Sequence, residues 1–148
     1  MKHYVPLLLL LMVFSPVVVA QNTPTVTNDP ISELRRAAQQ GDADAQYNLG
    51  WIYAKGEGVP KNDAEAVAWY RRAAEQGYAD AQYNLGWMYA KGEGVPKNDV
   101  DAYFWFNLAA AQGQENAGGN RDITEKQMTR EQIAEAQRRS ATWKPKTE

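Results

Sequence analysis

The chain has 148 residues and a formal net charge of −2, which suits one small domain. It shows no basic excess and no acidic tail, so a nucleic-acid partner is not expected. It contains no cysteine, and its one histidine is His3.

The N-terminus has the anatomy of a secretory signal peptide over residues 1–20. Lys2 and His3 precede an apolar stretch from Leu7 to Phe14, Pro16 interrupts it, and Val18-Val19-Ala20 offers small residues before a cut. The competing reading, a membrane anchor, needs an apolar run of about 20 residues, and this run is shorter and broken. No cysteine follows it to carry a lipid. Cleavage after Ala20 removes His3 and Lys2, taking the formal net charge from −2 to −3. The remaining chain has neither histidine nor cysteine. That excludes Ser-His-Asp and Cys-His nucleophiles and histidine or thiolate zinc sites. Without disulfides, an exported chain of this kind must be held together by packing.

Residues 21–28 are polar, contain Pro24 and read as a flexible lead-in. Over 29–40, Asp29 stands as an N-cap and Pro30 at the first helical position of a capping helix. Its "LRRAAQQG" resembles "YRRAAEQG" further on.

Gly41, Gly77 and Gly113 are spaced 36 residues apart, and residues 41–76 align with 77–112 at 26 of 36 positions. A period of this size with two helical patterns per unit predicts a solenoid of helical hairpins. Helix A of the first unit is expected over about Ala43–Ala54, with Ala45, Leu49, Ile52 and Tyr53 on one stripe. Ala81, Leu85, Met88 and Tyr89 repeat it. Gly50 and Gly86 fall within these helices, where glycine costs about 1 kcal/mol against alanine. Close approach of a neighbouring helix would compensate. Helix B is expected over about Asp63–Gln76, with Ala66, Trp69, Tyr70, Ala73 and Ala74 as its stripe. Ala102, Trp105, Phe106, Ala109 and Ala110 repeat it.

The joining loop, "KGEGVPKND", occurs twice, at 55–63 and 91–99. Gly56 and Gly92 suit a left-handed helix end, and Gly58 and Gly94 a second reversal. Val59 and Val95 fold inward, and Pro60 and Pro96 stop helix extension. Asn62 or Asp63, and Asn98 or Asp99, cap helix B. The loop lacks the Gly-Lys-Ser/Thr and preceding strand of a phosphate loop. Its acids are too sparse for an EF-hand.

These residues carry a family resemblance. "AQYNLGWIYAKGEGVPKNDAEAVAWYRRAAEQG" and its second copy resemble the Sel-one-like repeat, a tetratricopeptide-like helical hairpin, over Ala45–Gly77 and Ala81–Gly113. The resemblance implies an all-α, right-handed superhelical solenoid of antiparallel helix hairpins. It also implies a scaffolding role in protein–protein contacts. Some relatives are cysteine-rich with a disulfide in each repeat, a feature absent here.

Residues 113–148 read as a degenerate capping hairpin, giving about seven helices after the signal peptide. Ala117 keeps the register of Ala45 and Ala81, whereas Gly118-Gly119 weakens the unit. Thr129 and Gln132 form a capping box, and Ile133, Ala136, Ser140 and Trp143 share a face. Arg71-Arg72 becomes Asn107-Leu108, and Val67-Ala68 becomes Tyr103-Phe104. The second helix B is therefore expected to be covered more completely, with Trp143 docking near Phe104 or Leu108.

Opposite the packing stripe of helix A stand Asp44, Tyr47, Trp51 and Ala54, and in the second copy Asp80, Tyr83, Trp87 and Ala90. Lys55 and Lys91 flank them, and Asn48 and Asn84 are placed to bond a peptide backbone. In tetratricopeptide-like solenoids such positions line the concave groove. Two aromatic rows, each ending in an acid and a lysine, are thus expected to face one channel. Burial of the Trp51 and Trp87 rings against adjacent helices is an equal reading of the same spacing. No catalytic residue, metal or cofactor is expected. The expected partner of this monomeric, non-membrane-inserted chain is a protein or peptide segment, met in the periplasm or after secretion. The alternative is a cell-wall-associated hydrolase, an activity linked to some relatives, or a regulator of envelope enzymes. A carboxylate-pair mechanism would need an acid within an apolar stripe, yet Glu65, Glu75 and Asp101 fall on polar faces.

Overall fold

The structure, a computed structural model, describes residues 30–147. The expected signal peptide, the lead-in and the Asp29 cap lie outside these residues. Within them, seven α-helices and no strands occur: α1 (Pro30–Gln39), α2 (Ala43–Lys55), α3 (Asp63–Glu75), α4 (Ala79–Lys91), α5 (Asp99–Ala111), α6 (Ala117–Glu125) and α7 (Arg130–Thr142). Each of α1 to α5 packs on the next in sequence, and α7 packs back on α5. This neighbour-to-neighbour pattern is that of a stacked-hairpin solenoid.

Helix boundaries follow local chemistry. Asp42, Asn62 and Asn98 accept hydrogen bonds from Ala45 N, Glu65 N and Asp101 N at 2.9, 3.1 and 3.0 Å. Each satisfies a backbone donor left open at a helix start. Asn62 and Asn98, rather than the aspartates after them, are therefore the caps of the B helices. Gly56 and Gly92 end α2 and α4 in the left-handed conformation at φ 73° and 72°, a region that favours glycine. Thr129 and Gln132 form the reciprocal capping box of α7.

The mid-helix glycines are sites of tight helix contact. A Cβ on Gly50 would meet the Tyr70 ring at 2.7 Å, and one on Gly86 the Phe106 ring at 2.8 Å. An aromatic ring of α3 and one of α5 thus lie directly against the bare backbone of α2 and α4. The stripe residues Leu49, Leu85, Ala66, Ala73, Ala74, Ala102 and Ala109 are buried.

Two buried glutamines tie successive units together. Gln46 Nε2 donates to Ala38 O (3.0 Å), while Gln76 Nε2 donates to Gln46 Oε1 (2.8 Å) and to Gly41 O (2.9 Å). One repeat later, Gln82 Nε2 donates to Ala74 O (3.1 Å) and Gln112 Nε2 to Gln82 Oε1 (2.7 Å). Among the described residues no buried side-chain polar atom lacks a partner. Paired amides of this kind resist slippage between helices, because a shift of register leaves a buried donor unmatched.

α5 is buried on several sides, since Tyr103, Phe104, Trp105, Phe106 and Leu108 are all inside and α4, α6 and α7 surround it. Trp143 packs against the cluster that holds Phe104 and Leu108. The Arg139 guanidinium lies 4.6 Å from the Phe104 ring centre and donates to Asp101 at 2.9 Å. Beyond α7 the chain returns to the α3–α4 turn, where Lys146 N donates to Glu75 O at 2.8 Å.

Candidate functional site

An open groove of about 490 Å³ runs between α2 and α4, with α3 beneath it. Trp51 and Trp87 stand on its two sides, 37 % and 40 % exposed. Both indoles therefore face solvent, which decides the reading left open by their spacing. They sit at the same position of consecutive A helices, so the 36-residue repeat places them side by side.

The groove floor is polar and internally satisfied. Tyr70 reaches it from α3, and the Asn84 amide hydrogen-bonds the hydroxyls of Tyr47 and Tyr70. Burial raises the pKa of both phenols. The Asp80 charge raises Tyr47 further and Tyr47 raises Tyr70, while the bonds from Asn84 pull both down. The Tyr47 ring is packed between Tyr70 (5.9 Å) and Tyr78 (5.1 Å). In the next unit Asn120 Nδ2 donates to the Tyr83 hydroxyl (3.1 Å), and the Tyr83 ring packs on Phe106 at 5.8 Å. Each groove asparagine thus serves the tyrosine of the preceding unit.

Of the ten residues expected on one channel, Tyr47, Trp51, Lys55, Tyr83, Asn84 and Trp87 line this groove. Asp44, Asn48, Asp80 and Lys91 do not, which corrects the expectation of two complete rows facing it. The reasons are local. Asp44 receives the Tyr78 hydroxyl, which pushes that phenol up to about 12. Asp80 Oδ1 accepts from Gln114 Nε2 at 3.4 Å. Both acids thus hold the start of the following unit beyond the groove end. Asn48 occupies the position of Asn84 and Asn120, but α1, a B-type helix, presents no tyrosine to it. Lys91 Nζ lies 4.7 Å from the Trp87 ring centre, a cation–π contact that turns it toward the neighbouring hollow.

Sequence reasoning missed several groove residues. The stripe of helix B puts Tyr70 in the core, where it is buried, and the same residue also lines the groove. Lys61 and Glu93 reach the groove from the loops, and Asp63, paired with Lys61 at 3.4 Å, from the first residue of α3. Ile123, on α6, is 57 % exposed and lies a further 36 residues beyond Trp87. The 36-residue period alone points to it, although Gly118-Gly119 obscure the third unit. Among the described residues, no helix is long and apolar enough to cross a membrane. No acidic, histidine or cysteine cluster among them is suited to a metal ion.

Residues 43–78 and 79–114 match the family model described as Sel1 repeat. No curated protein matches the chain. Among solved structures, the chain is similar to a protective antigen of uropathogenic Escherichia coli strains displaying an SLR fold. The two share 38 % identity at a TM-score of 0.73, covering 76 % of this chain and 24 % of that one. The chain therefore spans about a quarter of the length of that antigen. It is 47 % identical to a Sel1 repeat protein from Oxalobacter formigenes, with a TM-score of 0.61 over 63 % of this chain and 70 % of the other. It is also similar to cysteine rich protein B of Helicobacter pylori, at 29 % identity and a TM-score of 0.58 over 60 % and 67 %. Sel1 repeats generally serve as protein-interaction scaffolds and are typically non-catalytic. Two adjoining repeats, the stacked hairpins that realise them and these relatives together establish that the chain belongs to the Sel1 repeat family.

Proposed function

We propose that this chain is an exported protein-interaction scaffold that holds a segment of another protein in the groove between α2 and α4. The observation that carries the proposal is the pair of exposed indoles, Trp51 and Trp87, flanking one groove whose floor is already satisfied. Exposed tryptophans supply large contact area at small entropic cost and recur as binding hot spots. A floor that is hydrogen-bonded before binding is pre-organised, so less ordering is needed when a partner arrives. Two repeats make a short groove, which favours modest affinity or a partner with further contacts elsewhere.

Export, to the periplasm or beyond it, is supported by the basic start, the short apolar run and the small residues at Val18–Ala20. Fractionation with mass spectrometry of the recovered chain tests it. The expected start is near Gln21, and an uncut chain in the cytoplasm would refute export.

Affinity capture from an envelope extract tests the groove. The wild-type chain and a Trp51→Ala/Trp87→Ala variant serve as baits, compared by quantitative mass spectrometry. A partner retained by the wild type and lost from the variant is the expected result. Equal recovery on both baits would refute the groove assignment.

A further inference from the structure

The groove spans the seam between two units, since α2 belongs to the first repeat and α4 to the second. Helices of one unit pack on each other more extensively than helices of consecutive units do, so the seam governs how far apart α2 and α4 stand. One segment bridges this seam from outside. After α7, Trp143 takes the chain into extended backbone (φ −68°, ψ 142°), and Pro145 favours the same conformation at Lys144. Trp143–Lys146 thus runs as a strap from α7 to the α3–α4 turn. There Lys146 N donates to Glu75 O (2.8 Å), and Lys146 Nζ pairs with Glu75 Oε2 (2.8 Å). Glu75 is the last residue of α3, and its carbonyl is one of those a helix leaves open at its C-terminus. An ammonium beside a helix C-terminus is also favoured by the helix dipole. Pro145 and the Trp143 ring close over Gly77: a Cβ there would lie 3.5 Å from Pro145 Cγ and 3.7 Å from Trp143 Cη2.

The strap selects this turn. The equivalent Gly113, in the α5–α6 turn, has nothing within 4 Å of an added Cβ. The bonds to Glu75 join residues 71 apart in the chain, close to two repeat lengths. In a stack whose units touch only their neighbours, such a contact closes a ring. The strap holds α3 and continues α7. Arg139 paired with Asp101, and Gln137 Nε2 donating to the Tyr103 hydroxyl (3.2 Å), fix α7 on α5, and α5 packs on α4. Rotating the α4–α5 hairpin away from α3 therefore pulls the strap from the turn. The residue after Gly77 is Tyr78, whose ring packs on Tyr47 and whose hydroxyl bonds Asp44, both on α2. The clamped turn thus leads directly to the groove floor.

We infer that residues 143–146 are a latch that sets the width of the groove. Docked on the α3–α4 turn, they hold α2 and α4 at one spacing; released, they let the seam flex. The inference takes its functional meaning from the groove reading above, but its test needs no partner. The Lys146 and Glu75 side chains are 68 % and 31 % exposed. A pair at the surface contributes little, so the strap can detach while the helices stay folded. By linkage, a ligand that favours one groove width favours one state of the latch.

The chain contains no cysteine, so spin labels attach only at introduced sites. Asn48→Cys on α2 with Lys91→Cys on α4 reads the spacing across the seam by pulsed electron paramagnetic resonance. Asn48→Cys with Ala68→Cys on α3 reads one hairpin and is the control. All three side chains are exposed. Each pair is measured in the chain after removal of residues 1–20, with four strap states. These are the intact strap, deletion of residues 144–148, Lys146→Pro, which removes the backbone donor, and Lys146→Arg, which keeps donor and charge. The seam pair should show one narrow distance with the intact strap and with Lys146→Arg, and a broadened or displaced one in the deletion and in Lys146→Pro. The hairpin pair should not change. Amide exchange at Gly77 and Tyr78, which donate to Ala74 O and Ala73 O, should accelerate about tenfold in the same two variants, as befits loss of about one hydrogen bond. An unchanged seam distance in the deletion overturns the inference even if exchange accelerates, because the strap then only seals the turn. Broadening of the hairpin pair as well also overturns it, because the change is then general loosening and not release of a latch. Tryptophan-dependent capture from the envelope is measured separately, so the scaffold reading survives either result.

Discussion

The contact between each A helix and the ring beneath it has a measurable sign. Substituting alanine for Gly86 on α4 adds a Cβ that would lie 2.8 Å from Phe106 Cδ1 and 2.9 Å from its Cε1. Ordinary carbon contacts begin near 3.5 Å, so the ring or the helix must move by about 0.7 Å. Phe106 is 1 % exposed and has α6 behind it, so the shift disturbs a packed interior. Overpacking of this kind costs about 1–3 kcal/mol. Alanine meanwhile returns about 1 kcal/mol of helix propensity. The net expectation is a loss of up to about 2 kcal/mol, or a fall in Tm of up to roughly 8 °C. Gly118→Ala on α6 is the internal control. Nothing lies within 4 Å of its added Cβ, so only the propensity gain remains and the variant should be more stable by up to about 1 kcal/mol. Chemical denaturation followed by helical circular dichroism measures both. If Gly86→Ala stabilises as much as Gly118→Ala, the glycine is not a site of forced approach and the packing account is wrong. Adding Phe106→Leu to Gly86→Ala should recover part of the loss, because a smaller side chain leaves room for the methyl.

Three further outcomes follow from the same geometry. Gln82→Leu leaves the Ala74 carbonyl and the Gln112 amide without their partner and should cost about 1–3 kcal/mol by denaturant midpoint; a neutral result would show that the amide ladder contributes nothing. Deleting residues 129–148 uncovers the face of α5 that Ala136, Arg139 and Trp143 cover. The truncated chain should associate in light scattering and melt lower, and an unchanged monomer would refute the capping role. Finally, Tyr70 has a pKa raised by burial above the ordinary 10.0. The unfolded chain therefore loses this proton first as pH rises past 10, and the folded chain retains it, so stability is held below pH 10 and falls above it. Tyr70→Phe should flatten that alkaline slope, as measured by denaturation at stepped pH, and an unaltered slope would locate the effect elsewhere.

The hairpins were legible because the repeat prints each local signal twice. Helix starts at Asn62 and Asn98, helix ends at Gly56 and Gly92, and the alanine-leucine stripes depend on short-range chemistry that spacing captures. The groove was only partly legible. A helical wheel places Trp51 and Trp87 correctly, because an outward face is a property of one helix. It misplaces Asp44, Asp80 and Asn48, because their surroundings depend on which helix stands beside them. Asn84 acquires Tyr47 from the unit before, whereas Asn48 has only α1. The buried pair Gln46 and Gln82 escaped notice for a related reason. A glutamine on an A helix reads as polar surface until the carbonyl of the preceding B helix and the glutamine of the following one are known to meet it.

The single exchange at the start of the two A helices shows how the stack divides its stability. Asp42 caps α2 with its side chain, but its counterpart before α4 is Tyr78, which makes no side-chain cap. By local rules this substitution forfeits about 1 kcal/mol of helix stability. Tyr78 instead sets its ring 5.1 Å from that of Tyr47 and gives its hydroxyl to Asp44, both on the preceding A helix. Aromatic pairing of this kind contributes about 0.5–1.5 kcal/mol, enough to offset the missing cap. Stability in a solenoid is a sum of terms within units and terms between them, and this position moves from the first kind to the second. The same ring fixes one wall of Tyr47, and hence the groove floor beside Trp51. Restoring the local cap with Tyr78→Asp would therefore strengthen α4 as a helix while loosening the junction that gives the groove its shape.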